Sequence, residues 1–164
     1  MEERSNLGIL AFVAVVLLGF FWTRDPSLNR QAPEFSLPES YGGRVDLASY
    51  RGRPVLLVFW TTSCGICRHE LPLLNQLAPE FASKGIAVVT VLLGGKDEAR
   101  SYLSANHLDL TAVVDSDGAV AGAYHVNGVP RLVLITKDGK VKRAASGWTD
   151  ESTLRDWMDA VSGS

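Results

Sequence analysis

The chain has 164 residues, enough for one domain with a sizeable core and a short appendage. Its formal net charge is −2, so neither nucleic acid nor an anionic membrane surface is an expected partner. Only two cysteines are present, three positions apart, and a disulfide that closes so short a loop constrains little of the chain. This pair is better explained by chemistry than by architecture.

The first predicted element is an apolar segment near the start. An uncharged run, LGILAFVAVVLLGFFW, begins at Leu7, and with Thr23 it reaches the lower limit of about 17 residues for a bilayer-spanning helix. No small-x-small cleavage site follows, and the aromatic residues at its end suit a membrane interface. We expect an uncleaved anchor over residues 7–23. A cleaved signal peptide and a buried core helix remain as alternatives.

The regions around this segment divide the rest of the chain. Residues 1–6 form a short tip, and basic residues flank the apolar run at Arg4 and Arg24, so charge alone leaves the orientation open. The polar stretch 24–31 is predicted to be a linker. We expect the soluble domain over residues 32–164.

The domain alternates predicted strands and helices. Apolar–polar alternation at 35–37 and 45–47, around a Gly-Gly turn, predicts a leading hairpin. Apolar, β-rich runs at 54–60 and 86–93 are typical of strands buried on both faces. An α/β fold follows, with a central mixed sheet and helices on both faces. The other predicted elements are helices at 64–83 (kinked at Pro72), 97–107, 118–124 and 151–161, and strands at 111–114, 131–136 and 141–146, the last two joined by an Asp-Gly turn.

The cysteine pair, CGIC, lies where the strand at 54–60 is followed by a predicted helix. Free backbone N–H groups and the helix dipole favour a thiolate there, and CxxC cysteines so placed can have pKa values of roughly 3.5–7.5. The thiolate is the species that attacks disulfides. We therefore predict that Cys64 is the nucleophile. Cys67, one helical turn further on, is the resolving thiol that attacks the mixed disulfide.

Other uses of the pair fit the sequence less well. A c-type haem site needs histidine directly after the second cysteine, where Arg68 stands. A structural zinc site needs four ligands, and the only histidines are His69, His107 and His125. Zinc binding and an inert pair of small core residues remain open.

The stretch PVLLVFWTTSCGICRHELP resembles the thioredoxin superfamily, and within it the membrane-anchored TlpA/ResA-like branch. The stretch APEFSLPESYGGRVDLASYRGRPV before the motif, DG at 117–118 and GVP at 128–130 agree with it. The resemblance covers nearly all of residues 32–161. It implies a thioredoxin fold with a leading hairpin and a mid-chain insertion at about 95–126.

The resemblance also implies an activity and a location. It implies a disulfide reductase on the periplasmic, extracytoplasmic side of a bacterial inner membrane, single-pass, with residues 1–6 cytoplasmic. The substrates that the resemblance implies are protein thiols and disulfides, among them apocytochrome c. Its electrons come from a membrane thiol carrier of the DsbD/CcdA type, because no glutathione pool reaches that compartment. No cofactor is expected.

Two further site features are implied by the resemblance. The Val129–Pro130 bond corresponds to a peptide bond that is cis in this superfamily and lies beside the cysteine pair, where the backbone pairs with substrate. A trans proline that begins a strand is the alternative. Trp60 matches an aromatic residue that supports the active-site loop, although a core role alone would also explain it.

Glu70 matches an acidic residue that this branch has three positions after the resolving cysteine. Helical spacing supports the match independently, because Cys67, Glu70, Leu71 and Leu74 share one face. We expect Glu70 to point inward, with a solvated surface glutamate as the alternative. His69 lies on another face and is expected to be exposed.

Four positions depart from the usual thioredoxin pattern. Val58 replaces a buried aspartate, Ser63 a tryptophan before the motif, and Ile66 a proline within it. Arg131 follows the predicted cis proline where threonine is common. Because the surroundings of a CxxC pair tune its potential, these departures leave the reduction potential and the direction of electron flow open.

Two other functions remain as alternatives. A peroxiredoxin-like peroxidase fits Thr61, three residues before the first cysteine, but Leu57 occupies the position where that family has proline. A copper-binding or metallochaperone domain would use both thiolates, with His125 as a third ligand, because soft thiolates suit copper(I). That group usually spaces its cysteines by three residues rather than two.

Overall fold

The structure is a computed structural model and describes residues 25–162. The elements predicted for this range are all present, with ends that differ from the predicted ones by at most three residues. In chain order they are β1 (Ser36–Pro38), β2 (Arg44–Asp46), a 3-10 helix (Leu47–Tyr50), β3 (Val55–Trp60), α1 (Cys67–Ser83), β4 (Ala87–Leu92), α2 (Lys96–Ala105), β5 (Thr111–Val114), α3 (Ala119–Ala123), β6 (Arg131–Ile135), β7 (Val141–Ser146) and α4 (Glu151–Ser162).

Five of the strands form one mixed sheet in the order β5-β4-β3-β6-β7. The central strand β3 is parallel to β4 and antiparallel to β6, and β4 is parallel to β5. The hairpin β6–β7 turns at Gly139, whose φ of 82° suits a residue without a side chain. β1 and β2 form the separate leading hairpin. The mixed sheet, the hairpin and the insertion, which comprises α2, β5 and α3, are confirmed.

The two faces of the sheet are covered differently. Even-numbered residues of β3 pack with α1, α2 and α4, and odd-numbered residues pack with α3 and the leading hairpin. Every residue of β3 is buried, and each large apolar side chain so buried contributes roughly 1.5–3 kcal/mol. Burial of both faces explains why this strand is a continuous apolar run. It also makes the end of β3 a rigid support for the residues that follow it.

Within residues 25–162 no helix has the length and apolar character needed to cross a membrane. The predicted tip, 1–6, and the predicted anchor, 7–23, lie outside the described residues. The stretch predicted as a linker packs against the domain from Asp25 onward. There the N–H of Asn29 donates to the carbonyl of Val141, and the N–H of Val141 donates to the carbonyl of Arg30. These bonds extend the sheet at β7.

A mostly buried ion pair fastens the same segment. Arg131, the first residue of β6, pairs with Asp25 and also donates to the hydroxyl of Ser146. Burial opposes ionisation of Asp25, but hydrogen bonds from Ser27 and Arg131 outweigh it, so the pKa of Asp25 lies below its usual value. Arg131 therefore places a positive charge where threonine is usual, and this charge is balanced by Asp25, 106 positions away in sequence.

Asp25→Ala is expected to destabilise the domain by about 3 kcal/mol, the lower end of the cost of removing one partner of a buried pair, because it leaves the mostly buried Arg131 guanidinium without its counter-charge. Glu34→Ala is the matched control: it removes the exposed pair between Glu34 and Arg51, for which about 0–1 kcal/mol is expected. Urea unfolding of both variants measures the difference. Equal, small losses would show that the Asp25–Arg131 pair contributes no more than a surface pair.

Candidate active site

The cysteine pair lies directly beyond the end of β3, and the two sulfurs form a disulfide. α1 begins at Cys67, so the predicted helix start at Cys64 is wrong by three residues. Cys64 lies in the loop before the first turn, where the N–H of Cys67 donates to its Sγ over 3.1 Å. Cys64 is half-buried, whereas Cys67 is buried.

This arrangement distinguishes the two sulfurs chemically. A backbone N–H at a helix N-terminus stabilises negative charge, so the charge that develops on Cys64 during exchange is favoured there. A partner protein can reach Cys64, while Cys67 can reach only a disulfide formed on its neighbour. The roles of Cys64 as nucleophile and Cys67 as resolving thiol stay predictions, which this geometry supports.

The Val129–Pro130 peptide bond is cis, as predicted, and it lies beside the cysteines. The carbonyl oxygen of Val129 is 3.6 Å from Cys64 Sγ. Trp60, at the end of β3, is completely buried, belongs to the same apolar cluster as Cys67, and packs its ring 5.0 Å from that of Tyr102. The structure therefore brings together the cysteines and the proline, and places Trp60 in the core beneath them; its role in supporting the active-site loop stays a prediction.

Glu70 points inward, as predicted, and none of it is exposed, so the alternative of a surface glutamate is wrong. Its Oε1 accepts a hydrogen bond of 2.9 Å from the N–H of Thr149. Its Oε2 is buried and has no hydrogen-bond partner among the described residues. Burial outweighs the hydrogen bonds from Thr149 and raises the pKa of Glu70 to about 7. This carboxyl can therefore gain or lose a proton near neutral pH.

Val58 lies, completely buried, in the same apolar cluster as Cys67. Glu70 and Asp115 are the buried carboxylates among the described residues. The carboxylate of Asp115 accepts hydrogen bonds from backbone N–H groups at the start of α3, which covers the opposite face of the sheet. Glu70 is thus the buried carboxylate available on the side of the sheet that carries Cys67.

The sequence did not reveal the role of the loop between β7 and α4. The N–H of Gly147 donates to the carbonyl of Pro130 over 2.9 Å, and Thr149 binds Glu70 as described. Trp148, between them, is half exposed. The sequence signal for this loop was a glycine followed by a tryptophan at the end of a predicted strand. The glycine is needed because residue 147 has a φ of 83°, which favours a residue without a side chain.

The remaining predicted residues lie apart from this centre or at its edge. His69 is exposed, as predicted. Within residues 25–162, no three His, Cys, Asp or Glu side chains gather in a way that could hold a metal ion, so His125 does not join the cysteines. Ser63 and Ile66 are both exposed around the cysteines.

An accessible sulfur and a buried sulfur at a helix start, beside a cis proline on this sheet, define a thiol–disulfide oxidoreductase of the thioredoxin fold. The AhpC/TSA family matches residues 28–144. Thiol-disulfide oxidoreductase ResA of Bacillus subtilis (strain 168) is 32% identical over 136 residues, which are 82% of this chain and 76% of the relative. The chain therefore belongs to the AhpC/TSA family of the thioredoxin superfamily, as a ResA-like thiol–disulfide oxidoreductase.

Solved structures agree with this assignment. A protein of Chlorobium tepidum assigned as thiol:disulfide interchange protein DsbE has 32% identity and a TM-score of 0.77, over 83% of this chain and 98% of that one. A protein of Neisseria meningitidis assigned as a thioredoxin has 31% identity and a TM-score of 0.72, over 79% of this chain and 88% of that one. The shared fold spans the described domain.

Proposed function

We propose that this oxidoreductase is a membrane-tethered disulfide reductase on the extracytoplasmic side of a bacterial inner membrane. The observation that supports reduction of the substrate as the direction of electron flow is the burial of Glu70, one helical turn from Cys67. No lysine or arginine of the described domain forms an ion pair with it. A carboxylate held near a thiolate disfavours the thiolate, and a couple whose reduced form is less stabilised is a stronger reductant.

The reaction begins from the dithiol form. The Cys64 thiolate attacks one sulfur of a substrate disulfide; that bond breaks, and the other substrate sulfur leaves as a thiolate. Cys67 then transfers its proton to Glu70 and attacks Cys64 Sγ, which releases the second substrate thiolate. Two electrons have passed to the substrate, and the Cys64–Cys67 disulfide remains. Glu70 serves as the proton acceptor of the second step, directly or through one water.

We propose that the substrates are extracytoplasmic proteins with cysteine pairs, apocytochrome c among them, and that a membrane thiol carrier of the DsbD/CcdA type restores the dithiol. The anchor at residues 7–23 would keep the domain close to such a carrier. The ion pair between Asp25 and Arg131 supports this arrangement, because Arg131 directly follows Pro130. Asp25, two positions after the proposed anchor, thus lies at the end of the sheet that carries the cysteines.

The reduction potential of the Cys64–Cys67 couple tests the direction of electron flow. We expect a value near the thioredoxin-like end of the range, about −270 mV, after equilibration with glutathione or dithiothreitol buffers. A value near about −120 mV, typical of a strong oxidant, would contradict a reductase.

Labelling in intact cells tests the location. A membrane-impermeant maleimide should label the reduced protein before lysis, and the labelled protein should be recovered in the membrane fraction. Labelling that requires lysis would contradict an extracytoplasmic domain.

A further inference from the structure

Two of the three exposed large apolar side chains of the described domain lie beside the cysteine pair. Ile66 is 46% exposed and Trp148 is 50% exposed, and together with His69 they line one open groove. The third, Tyr41, is 63% exposed and lies in the turn of the leading hairpin. Because Ile66 belongs to the CGIC motif itself, the groove adjoins the exchange site.

The backbone on both sides of Trp148 is held by active-site groups. On one side Gly147 donates to the carbonyl of Pro130, and on the other Thr149 donates to the carboxylate of Glu70. The backbone of this short loop is therefore held by two hydrogen bonds to active-site groups. The indole between them remains half exposed, and tryptophans in such positions often anchor protein partners.

We propose that Ile66 and Trp148 bind an apolar side chain that flanks the reacting cysteine of a substrate protein, and so set substrate preference. The inference rests on the proposed exchange at Cys64. When a substrate sulfur bonds to Cys64 Sγ, its chain must pass over the adjoining surface. Because Ile66 directly precedes Cys67 in the motif, the substrate residue next to the reacting cysteine is the one expected to meet the groove.

The composition of the groove selects the chemistry of its occupant. Apart from the imidazole of His69, its lining is the apolar surface of Ile66 and Trp148, so it offers contact area to an aromatic or branched aliphatic side chain and no carboxylate to a basic one. Each fully buried apolar side chain of this size adds appreciable affinity at an otherwise polar surface. We therefore expect preference for cysteines flanked by Phe, Leu or Ile over cysteines flanked by Ser.

The test compares two disulfide-bonded peptides that differ only in one residue next to the cysteine, Phe or Ser. The wild-type protein is expected to show a kcat/KM ratio of about tenfold or more in favour of the Phe peptide, arising mainly from KM. Trp148→Ser should reduce that ratio to near one, and Trp148→Phe should retain at least half of it. Tyr41→Ser, which removes the exposed aromatic side chain elsewhere, should leave the ratio unchanged.

Three outcomes would overturn the inference. The first is a ratio near one in the wild type. The second is an equal loss for both peptides in Trp148→Ser, which would mean that Trp148 acts only by holding the loop against Pro130 and Glu70. The third is a dimer that dissociates on this substitution, which would mean that a second copy covers the groove. The reduction potential, measured separately, tests the proposed direction of electron flow. If that potential indicated an oxidant, the same kcat/KM ratio could be measured for oxidation of the dithiol forms of the two peptides.

Discussion

Cys64→Ser is expected to reduce disulfide exchange to the uncatalysed background, because no other thiol of the chain can reach a partner. Cys67→Ser is expected instead to accumulate a stable mixed disulfide on Cys64, because the attack that releases the product is lost. The two effects follow from the accessible position of Cys64 and the burial of Cys67. Non-reducing electrophoresis after mixing with a disulfide-bonded substrate measures both.

The double variant, with serine at both positions, is the control for adducts that do not involve this pair. Circular dichroism of each variant checks that the fold is retained. An adduct that forms on Cys64→Ser and not on Cys67→Ser would reverse the assignment of the two roles.

Glu70→Gln is expected to change both the stability and the turnover of the protein. The change in stability depends on pH. The pKa of Glu70 is raised from 4.5 to about 7 in the folded, oxidised protein, so between these values the folded state binds the proton more tightly than the unfolded state. The contribution of this group to stability is therefore greatest below about pH 4.5 and falls as pH rises toward 7, by up to roughly 3 kcal/mol. The glutamine variant lacks this loss and should be the more stable protein at pH 8.

The same substitution should impair turnover. Without the carboxylate, Cys64 is expected to ionise at lower pH, while mixed disulfides resolve about 10²-fold more slowly near neutral pH, the lower end of what general acid–base groups contribute. The cysteines and Glu70 should titrate as a coupled set. Thiol alkylation and single-turnover product release, each measured against pH, give the two profiles.

Glu39→Gln serves as the matched control, since this glutamate lies in the leading hairpin, partly exposed. It should leave both profiles and the pH dependence of stability unchanged. Profiles that coincide for wild type and Glu70→Gln would remove Glu70 from the mechanism. A stable Glu70→Gln protein that turns over slowly would show that the buried acid is retained for function.

Local patterns predicted most of the fold and the centre of the site. Burial of β3 on both faces fixes its apolar composition, and helical spacing placed Glu70 on the buried face with Cys67. The helix start was wrong because the loop after β3 continues for three residues more than the apolar pattern indicates. Nothing in that pattern marks where the first helical hydrogen bond forms.

Contacts between distant segments could not be predicted in the same way. The hydrogen bond from Thr149 to Glu70 joins residues 79 positions apart, and the ion pair of Asp25 with Arg131 joins residues 106 positions apart. Neither pairing leaves a periodic signal, because each depends on how a segment outside the helices and strands packs against a distant helix or strand. The exposed position of Trp148 follows from the loop between β7 and α4, and the Gly-Trp step in the sequence does not by itself predict it.

Limiting alkylation of the fully reduced wild-type protein tests the central claim most directly. Less than one equivalent of iodoacetamide is added near neutral pH, and fragment-ion mass spectrometry assigns the label within the peptide that contains both cysteines. The helix N-terminus and the exposure of Cys64 predict that nearly all of the label is on Cys64. Label found mainly on Cys67, or divided equally between the two, would contradict the mechanism.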